Sequence, residues 1–257
     1  MLTLFMMGLA VAMISFAAVW AVSVKVRNYG FLDVAWSYGV AVLAPFFALA
    51  SPGAPVRKWL LVAIGTAWSL RLGTYILLRV LRHHPKEDPR YQTLRELWKG
   101  SGMFLLFFEL QALLVAIFAL PFLFVSFDTS PQMHPLAVAG AVLALVSLCG
   151  EATADLQMQR FKANRANDGK ICEIGLWRYS RHPNYFFESL IWWAFFIAAL
   201  PSPYGWTTIV CPLLMLYFLF KVTGIPLTEE YSLRSKGELY RAYQRTTSAF
   251  IPWFRKT

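Results

Sequence analysis

Charged residues and cysteines are scarce in this sequence, and each scarcity excludes a class of protein. Asp, Glu, Lys and Arg make up 15% of the 257 residues, whereas hydrophobic residues make up 58%. Soluble globular domains carry about 25% charged residues, so this composition indicates an integral membrane protein. The three cysteines are far apart in the chain, which excludes a disulfide framework and a cysteine-based metal site.

Motifs of the common soluble catalytic domains are also missing. The sequence has no GxGxxG after a strand, no GxxxxGK[ST], no GxSxG and no HExxH, and its four histidines have no zinc-ligand spacing. These absences exclude a Rossmann domain, a kinase and a zinc protease, and we expect no metal. The net charge of +10 is not that of a nucleic-acid binder, because the basic residues fall between long apolar runs. We therefore expect no nucleic-acid partner.

Seven apolar runs are long enough to cross the roughly 30 Å of hydrocarbon in a bilayer as helices. They lie near 2–24, 33–51, 59–81, 103–126, 135–155, 184–201 and 205–224. Lys and Arg are concentrated in the connections after the third and fifth runs and in the tail, and they are absent from 127–134 and 202–204. The positive-inside rule therefore predicts one all-α domain over 1–257, a bundle of seven transmembrane helices with the N-terminus outside and the C-terminus in the cytoplasm. Arg57 and Lys58 fall on the outer side and violate the rule slightly.

Two connections carry helix signals of their own. The stretch PKEDPRYQTLRELWKGSG predicts a short amphipathic helix that starts after Asp88 and lies in the interface, with a solvated connector as the alternative. In the tail, Thr228 predicts an N-cap, and Ser235 with Glu238 three residues later predicts a second helix start. We expect a bent or broken helical extension there.

Four side chains of the third run share one helix face. Arg71, Tyr75, Arg79 and Arg82 are spaced by 4, 4 and 3 residues, which keeps them in one stripe. Snorkelling at a helix end explains Arg82 equally well. Arg71 lies near the middle of the run, where an ionisable residue is costly and normally faces the protein interior or a water-filled cavity. The stripe therefore predicts a ligand site.

A second polar stripe closes the fifth run. Glu151, Asp155, Gln159 and Lys162 repeat nearly the same spacing and reach the same predicted cytoplasmic mouth. Ion pairing between the two stripes is the alternative to a ligand site.

The stretch LWRYSRHPNYFFESLIWW, residues 176–193, adds a third polar set. Asn184, Tyr185 and Glu188 are predicted in the first turn of the sixth run. A carboxylate near a helix N-terminus is electrostatically favourable, so a purely structural role for Glu188 is the alternative. The density of polar residues beside it, His182 included, favours a functional role.

The segment NYGFLDVAWSYG brings Asp33 and Trp36 to the start of the second run, where Asp33 alternatively caps the helix. Glu109 and Gln111 are isolated in the fourth run. A hydrogen bond between helices is favoured over a ligand role for these two.

Two of these segments together resemble a known family. GLWRYSRHPNYFFES and TEEYSLRSKGELYRAYQRTTSAFIPWF are similar to the C-terminal signature of the steroid 5-alpha-reductase family. With NYGFLDVAW, the chain most resembles uncharacterised bacterial membrane proteins grouped with that family, over most of its length and most strongly from about residue 151. The resemblance implies a seven-helix fold that encloses NADPH and reduces a carbon–carbon double bond conjugated to a ketone in a steroid or other lipid. RHPxY with a downstream EE also resembles isoprenylcysteine carboxyl and phospholipid methyltransferases, which use S-adenosylmethionine.

Carried over by position, the resemblance implies a cofactor-binding shell for NADPH. Its members are Arg71, Tyr75, Arg79, Arg82, Asp155, Lys162, Arg178, Tyr179, Arg181, His182, Asn184, Tyr185, Glu188, Tyr231 and Tyr243. Arg79 stands where the mammalian steroid enzymes carry an asparagine. Those enzymes hold the substrate ketone with a glutamate on the second helix and a tyrosine on the third. This chain offers Asp33 and Trp68 instead, which argues against a steroid 3-ketone as the substrate.

The charge pattern favours one of the two cofactors. NADPH carries several phosphate charges that need Arg and Lys donors, whereas S-adenosylmethionine carries no phosphate. We expect a protonated Asp33 or Tyr75 to donate to the developing enolate oxygen, and Glu188 to orient the nicotinamide carboxamide. An apolar lipid substrate enters from the bilayer and contacts Asp33, Trp36 and Trp68.

The expected protein is therefore a monomeric NADPH-dependent oxidoreductase of a bacterial inner membrane, with its cofactor side in the cytoplasm. A membrane methyltransferase is the alternative within the enzymes. A transporter or lipid-binding protein without chemistry is the alternative outside them.

Overall fold

The computed structural model of the protein describes residues 1–98 and 100–256, which fold into α-helices with no β-strand among them. The helices are α1 Leu2–Val26, α2 Phe31–Leu49, α3 Pro55–His83, α4 Pro89–Leu97, α5 Ser101–Phe118, α6 Leu120–Phe127, α7 Pro135–Ala163, α8 Pro183–Ala199, α9 Val210–Tyr217, α10 Ile225–Lys236 and α11 Glu238–Thr246. A π-helical turn, Phe218–Val222, follows α9. The predicted all-α class is confirmed.

Six helical stretches of the described chain are long and apolar enough to cross a membrane. They are Leu2–Val26, Phe31–Leu49, Pro55–His83, Ser101–Phe127, Pro135–Ala163 and Gly205–Lys236. Each coincides with one of the seven predicted runs. The remaining run, at 184–201, corresponds to α8, whose 17 residues extend only about 26 Å at 1.5 Å per residue. The chain is thus a multi-pass membrane protein, while a crossing by α8 and the sides of the two termini stay predictions.

One compact unit comprises Met1–His134 together with Ala199–Gly205. Its core combines large apolar side chains of α1, α2 and α5, among them Phe16, Leu43, Phe47, Phe104 and Phe108, all almost fully buried.

Small residues bring α2 and α3 close together in this unit. A Cβ atom at Gly73 would lie 2.7 Å from the Tyr38 ring, so only glycine lets this ring pack directly on α3. The Ser69 hydroxyl donates to the Ser37 carbonyl at 2.5 Å and accepts from the Ala41 backbone N–H at 2.9 Å. These bonds fix the position of α2, and with it Asp33, along α3.

The other compact unit comprises Pro135–Ala198 and the chain from Trp206 onward. Here α7 and α8 also meet through small residues. A Cβ atom at Gly140 would lie 2.6 Å from the Ala194 carbonyl oxygen and 2.8 Å from the Ala198 Cβ. Such close backbone contact is the usual way in which apolar helices associate inside a membrane.

The tail is a broken helix, as predicted, but both predicted start signals are wrong. The helix α10 begins at Ile225 after Gly224, and Thr228 lies inside it, where its hydroxyl donates to the Gly224 carbonyl at 2.9 Å. The break is at Gly237, whose φ of 49° lies in the region that favours glycine, and α11 starts directly after it. Proline near the start of α10 and glycine at the break therefore outweigh the hydroxyl signals.

Candidate functional site

The basic face of α3 has the arrangement that its spacing predicts. Arg79 and Arg82 are exposed near the end of the helix, and Tyr75 and Arg71 are half-buried further along it. The Arg79 guanidinium lies 3.9 Å from the nearer carboxylate oxygen of Asp33, and its side chain is 45% exposed. Two cations are therefore accessible at this end of α3, with a third nearer the middle of the membrane span.

Asp33 fixes α4 against α2. Its Oδ1 accepts from the Tyr91 hydroxyl at 2.7 Å, and its Oδ2 accepts from Arg90 Nη2 at 2.7 Å. Burial, and secondly the Asp33 charge, hold the pKa of Tyr91 well above its usual range, so the phenol stays protonated and donates. These contacts favour Asp33 as the residue that positions α4, rather than as the predicted proton donor.

A second ion pair, Glu87 with Arg95, contacts Tyr29 and so also links the α4 region to the start of α2. Glu87 is buried and accepts from Arg95 and, at 2.6 Å, from the backbone N–H of Tyr29. The Arg95 guanidinium also lies 4.6 Å from the centre of the Tyr29 ring, which stacks on Phe104. The predicted short helix after Asp88 is confirmed as α4, while its position in the membrane interface stays a prediction. Charged residues near both ends of α4 contact the NYGFLD segment, residues 28–33.

Four residues of the α4 region contact the NYGFLD segment: Glu87, just before α4, and Arg90, Tyr91 and Arg95 within it. Sequence reasoning missed these contacts. Their signal was the alternation of charges in KEDPRYQTLREL, which predicts an exposed helix but does not name its contacts. Asp88 accepts from the backbone N–H of Arg90 at 3.0 Å and caps α4.

The predicted substrate tryptophans lie away from the apolar cavity of this unit. Trp36 is half-buried and its ring meets Phe118 edge to face at 5.6 Å, while Trp68 is fully buried. A cavity of about 310 Å³ lies instead among α1, α2 and α5, lined by apolar side chains such as Phe16, Val34 and Val115 and by the Tyr38 ring. The Tyr38 hydroxyl pairs with Thr74 of α3 at 2.9 Å.

In the other unit, Glu229 interacts with both Arg181 and His182. Its Oε1 accepts from Arg181 Nε at 2.7 Å and lies 3.3 Å from His182 Nε2, while its Oε2 accepts from the Gln244 amide at 2.8 Å. The Arg181 guanidinium also donates to the carbonyls of Gln244 and Thr247. Both side chains are nearly buried, so their contacts favour a structural role over the predicted cofactor binding.

The C-terminal tail packs along the RYSRH segment. The Arg181 backbone N–H donates to the Ser248 carbonyl at 2.8 Å, and the Trp253 N–H donates to the Tyr179 carbonyl at 2.9 Å. The hydroxyl of Tyr243, another predicted cofactor residue, donates to the carbonyls of Trp177 and Ser180. Burial raises the pKa of Tyr243, which keeps this donor protonated.

Other members of the predicted shell keep accessible or unpaired groups. Arg178, Tyr179, Lys162 and Tyr231 are exposed. The Asn184 Oδ1 atom is buried and has no hydrogen-bond partner within 1–98 and 100–256.

The remaining members of the predicted shell are partly or fully buried. Tyr185 stacks on His182 with ring centres 5.4 Å apart, and its hydroxyl pairs with Thr228 at 3.2 Å. Asp155 is buried in α7. Glu188 is half-buried in the second turn of α8, not the first, because the helix already starts at Pro183.

Comparison with known proteins gives a family but no function. A family model described as "Protein of unknown function (DUF1295)" matches residues 19–247. No curated protein and no solved structure matches the chain. The matched range includes the NYGFLD segment, the basic face of α3 and the RYSRH segment.

Proposed function

The chain belongs to the DUF1295 family, and from this premise we propose that it is an NADPH-dependent membrane reductase. Its proposed reaction saturates a carbon–carbon double bond conjugated to a ketone in a lipid. The function of the family is unknown, so the support comes from the site residues and from the resemblance of the two C-terminal segments to the steroid 5-alpha-reductases.

The observation that carries the proposal is the basic face of α3. Arg79 and Arg82 are exposed at its end, and Arg71 lies on the same face further in. A guanidinium group offers several N–H donors in one plane, which suits the phosphates of a dinucleotide. S-Adenosylmethionine has no phosphate and gains little from three arginines. The set therefore favours NADPH over the methyl donor.

The apolar cavity supports a lipid as the substrate. Its volume of about 310 Å³ is at the lower end of the range for small-molecule pockets. Apolar side chains of α1, α2 and α5 provide nearly all of its lining, and Ser15 and Tyr38 are the lining residues that carry a hydroxyl. A cavity of this kind, within helices that cross a membrane, suits an apolar chain or ring better than a charged metabolite.

When bound, NADPH supplies a hydride to the β-carbon of the conjugated ketone. Arg79 and Arg82 hold the phosphates. The Tyr75 hydroxyl, which shares their helix face, donates a hydrogen bond to the oxygen on which negative charge develops. A proton from solvent water would then add at the α-carbon, so that the double bond gains one hydride and one proton. Asp33 keeps α4 in place instead of supplying that proton.

Asn184 is the best candidate for a ligand contact in the other unit. Its buried Oδ1 lacks a partner in the described chain, and an unsatisfied buried acceptor is costly. The carboxamide N–H₂ of a nicotinamide, or an adenine amino group, would supply the missing donor. Glu188, one turn further along α8, is the second proposed contact of this kind.

Binding of cofactors to the purified protein in detergent tests the proposal. We expect NADPH to bind saturably, and Arg82→Ala or Arg79→Ala to raise its Kd by about tenfold, because each removes a charge-assisted hydrogen bond. Arg234→Ala is the matched control, since Arg234 is an exposed arginine on α10 whose ion pair, with Glu230, is also exposed. A snorkelling role for Arg82 predicts no change in the Kd.

Three further measurements separate the alternatives. Loss of nicotinamide absorbance in a single turnover with an enone lipid supports the reductase. Saturable binding of S-adenosylmethionine without NADPH would replace it by a methyltransferase, and ligand flux into liposomes without product would replace it by a transporter.

A further inference from the structure

The amino-terminal end of α3 carries a second group of cations, far from the basic face. Arg57 and Lys58 lie in the first turns of the helix and are only 5% and 7% exposed. About 25 residues separate Arg57 from Arg82, which is roughly 38 Å along the helix. We call Arg57, Lys58, Ser126 and Asp128 the Arg57 cluster. It belongs to the same compact unit as the basic face but takes no part in the proposed reductase site.

Arg57 and Lys58 are held by different kinds of group. Arg57 Nη1 forms an ion pair with Asp128 at 2.7 Å, and Arg57 Nη2 donates to the Ser202 hydroxyl at 3.2 Å. The Lys58 ammonium donates to the backbone carbonyl of Ser51 at 3.0 Å. Asp128 is the carboxylate of the cluster and is itself 5% exposed. The cluster thus contains two buried basic side chains, one paired with the Asp128 carboxylate and the other bonded to a backbone carbonyl.

Two polar atoms of the cluster have no partner among the described residues. These atoms are Arg57 Nε and the Ser126 hydroxyl oxygen, both of which are buried. Ser126 is completely buried, and its carbonyl accepts from the Gly53 N–H at 2.9 Å. Arg57 cannot turn out to solvent without breaking its contacts with Asp128 and Ser202, and an unsatisfied buried N–H of a charged group is especially costly. A hydrogen-bond acceptor from outside the described chain would satisfy Arg57 Nε.

The helix end adds to the positive potential. The N-terminus of a helix carries about half a positive charge, and cations are ordinarily disfavoured there. The N-cap residue Ala54 offers no side-chain acceptor to the first turn of α3. The excess charge, the unpaired Arg57 Nε and the helix end thus all favour a negatively charged ligand over a water molecule.

We propose that the Arg57 cluster binds a small anion, whose acceptor atom receives the N–H of Arg57 Nε. Chloride, inorganic phosphate and the phosphate of an anionic lipid share this chemistry. A bound anion would balance the one basic charge at this end of α3 that Asp128 does not balance.

Thermal unfolding of the purified protein in neutral detergent tests this site. Sodium chloride, phosphate and gluconate are compared at equal ionic strength, gluconate serving as an anion too large for a buried site. A second series in gluconate adds phosphatidylglycerol or phosphatidylcholine. We expect a saturable rise in Tm of about 2–4 °C or more, either with chloride or phosphate, which identifies a free ion, or with phosphatidylglycerol alone, which identifies a lipid headgroup.

Two variants tie the effect to the cluster. Lys58→Gln removes the excess charge and keeps the Arg57–Asp128 pair, so the rise in Tm is expected to disappear. The matched control, Lys25→Gln, removes an exposed charge from α1 and is expected to keep the rise. Should Lys58→Gln not fold, Ser126→Ala takes its place and is expected to weaken anion binding. Equal Tm values in all anions and both lipids, or an unchanged rise in the cluster variant, would overturn the proposal.

Discussion

The two ends of α3 carry arginines in opposite surroundings. Arg57 is buried against Asp128 and Ser202, whereas Arg79 and Arg82 are exposed, and Asp33, the carboxylate 3.9 Å from Arg79, is already engaged by Arg90. The comparison shows that a cation in an apolar helix is not in itself a ligand site. Its partners decide whether it stabilises the fold or remains accessible to a ligand.

The same contrast recurs within the RYSRH segment. Arg178 is exposed, but Arg181, three residues later, donates to Glu229 and to two tail carbonyls. The resemblance assigned both to the cofactor. Arg178 stays a proposed cofactor contact, whereas the contacts of Arg181 hold the tail.

The largest effect is expected where a buried ion pair is broken. Asp128→Ala leaves the Arg57 guanidinium buried without its carboxylate, which is expected to lower the free energy of unfolding by about 3–5 kcal/mol. Arg82→Ala at the exposed end is expected to change it by less than about 0.5 kcal/mol. Denaturation of both variants in mixed detergent measures the difference. Equal stabilities would remove the distinction between the two ends.

A somewhat smaller effect is expected for the tail network. Glu229→Gln removes the charge that pairs Arg181, and we expect a loss of about 2–4 kcal/mol together with faster proteolysis near Thr247. The neighbouring Glu230→Gln is the matched control. Its ion pair with Arg234 is exposed, so its removal is expected to cost less than about 1 kcal/mol. A network that does not hold the tail would make the two variants alike.

Arg178 sharpens the contrast with Arg181 through binding. Arg178→Ala is expected to leave unfolding unchanged and to raise the Kd for NADPH about tenfold, the effect of one charge-assisted hydrogen bond. Arg181→Ala is expected instead to lower the free energy of unfolding, because it removes the contacts that hold the tail. Cofactor fluorescence and thermal unfolding of the same samples separate the two effects, and an unchanged Kd in Arg178→Ala would remove this residue from the site.

The smallest effect concerns the cap of α4. Burial raises the pKa of Asp88, but hydrogen bonds and charge from Arg90 outweigh it and hold the pKa below the usual value. The resulting stability is present above about pH 4, the unfolded-state value, and is lost as the pH falls through the folded-state pKa. Because Asp88 is partly exposed, the loss is expected to be below about 1 kcal/mol.

Asp88→Asn tests this titration, because asparagine also caps a helix but carries no charge. The free energy of unfolding is compared at pH 5 and pH 3. The wild type is expected to lose more stability than the variant over this interval. Parallel pH profiles would show that Asp88 does not titrate as described.

Much of the fold could be predicted because a bilayer constrains it strongly. Backbone groups inside a membrane must be paired, so long apolar runs form helices, and six of the seven predicted runs are helices of sufficient length. The spacing of Arg71, Tyr75, Arg79 and Arg82 likewise predicted their common face. Helix starts in the tail were harder, since Gly224 and Gly237 outweigh the local signals of Thr228 and Ser235.

The sequence by itself therefore determined the class of the protein, most of its membrane helices and the shared face of the α3 arginines, because hydrophobicity and helical periodicity are local properties. Only the tertiary structure decided which polar residues are engaged: Asp33 with Arg90, Arg57 with Asp128, and Arg181 with Glu229. These partners are 57, 71 and 48 residues apart. Such pairings depend on how helices pack, and no local pattern records them.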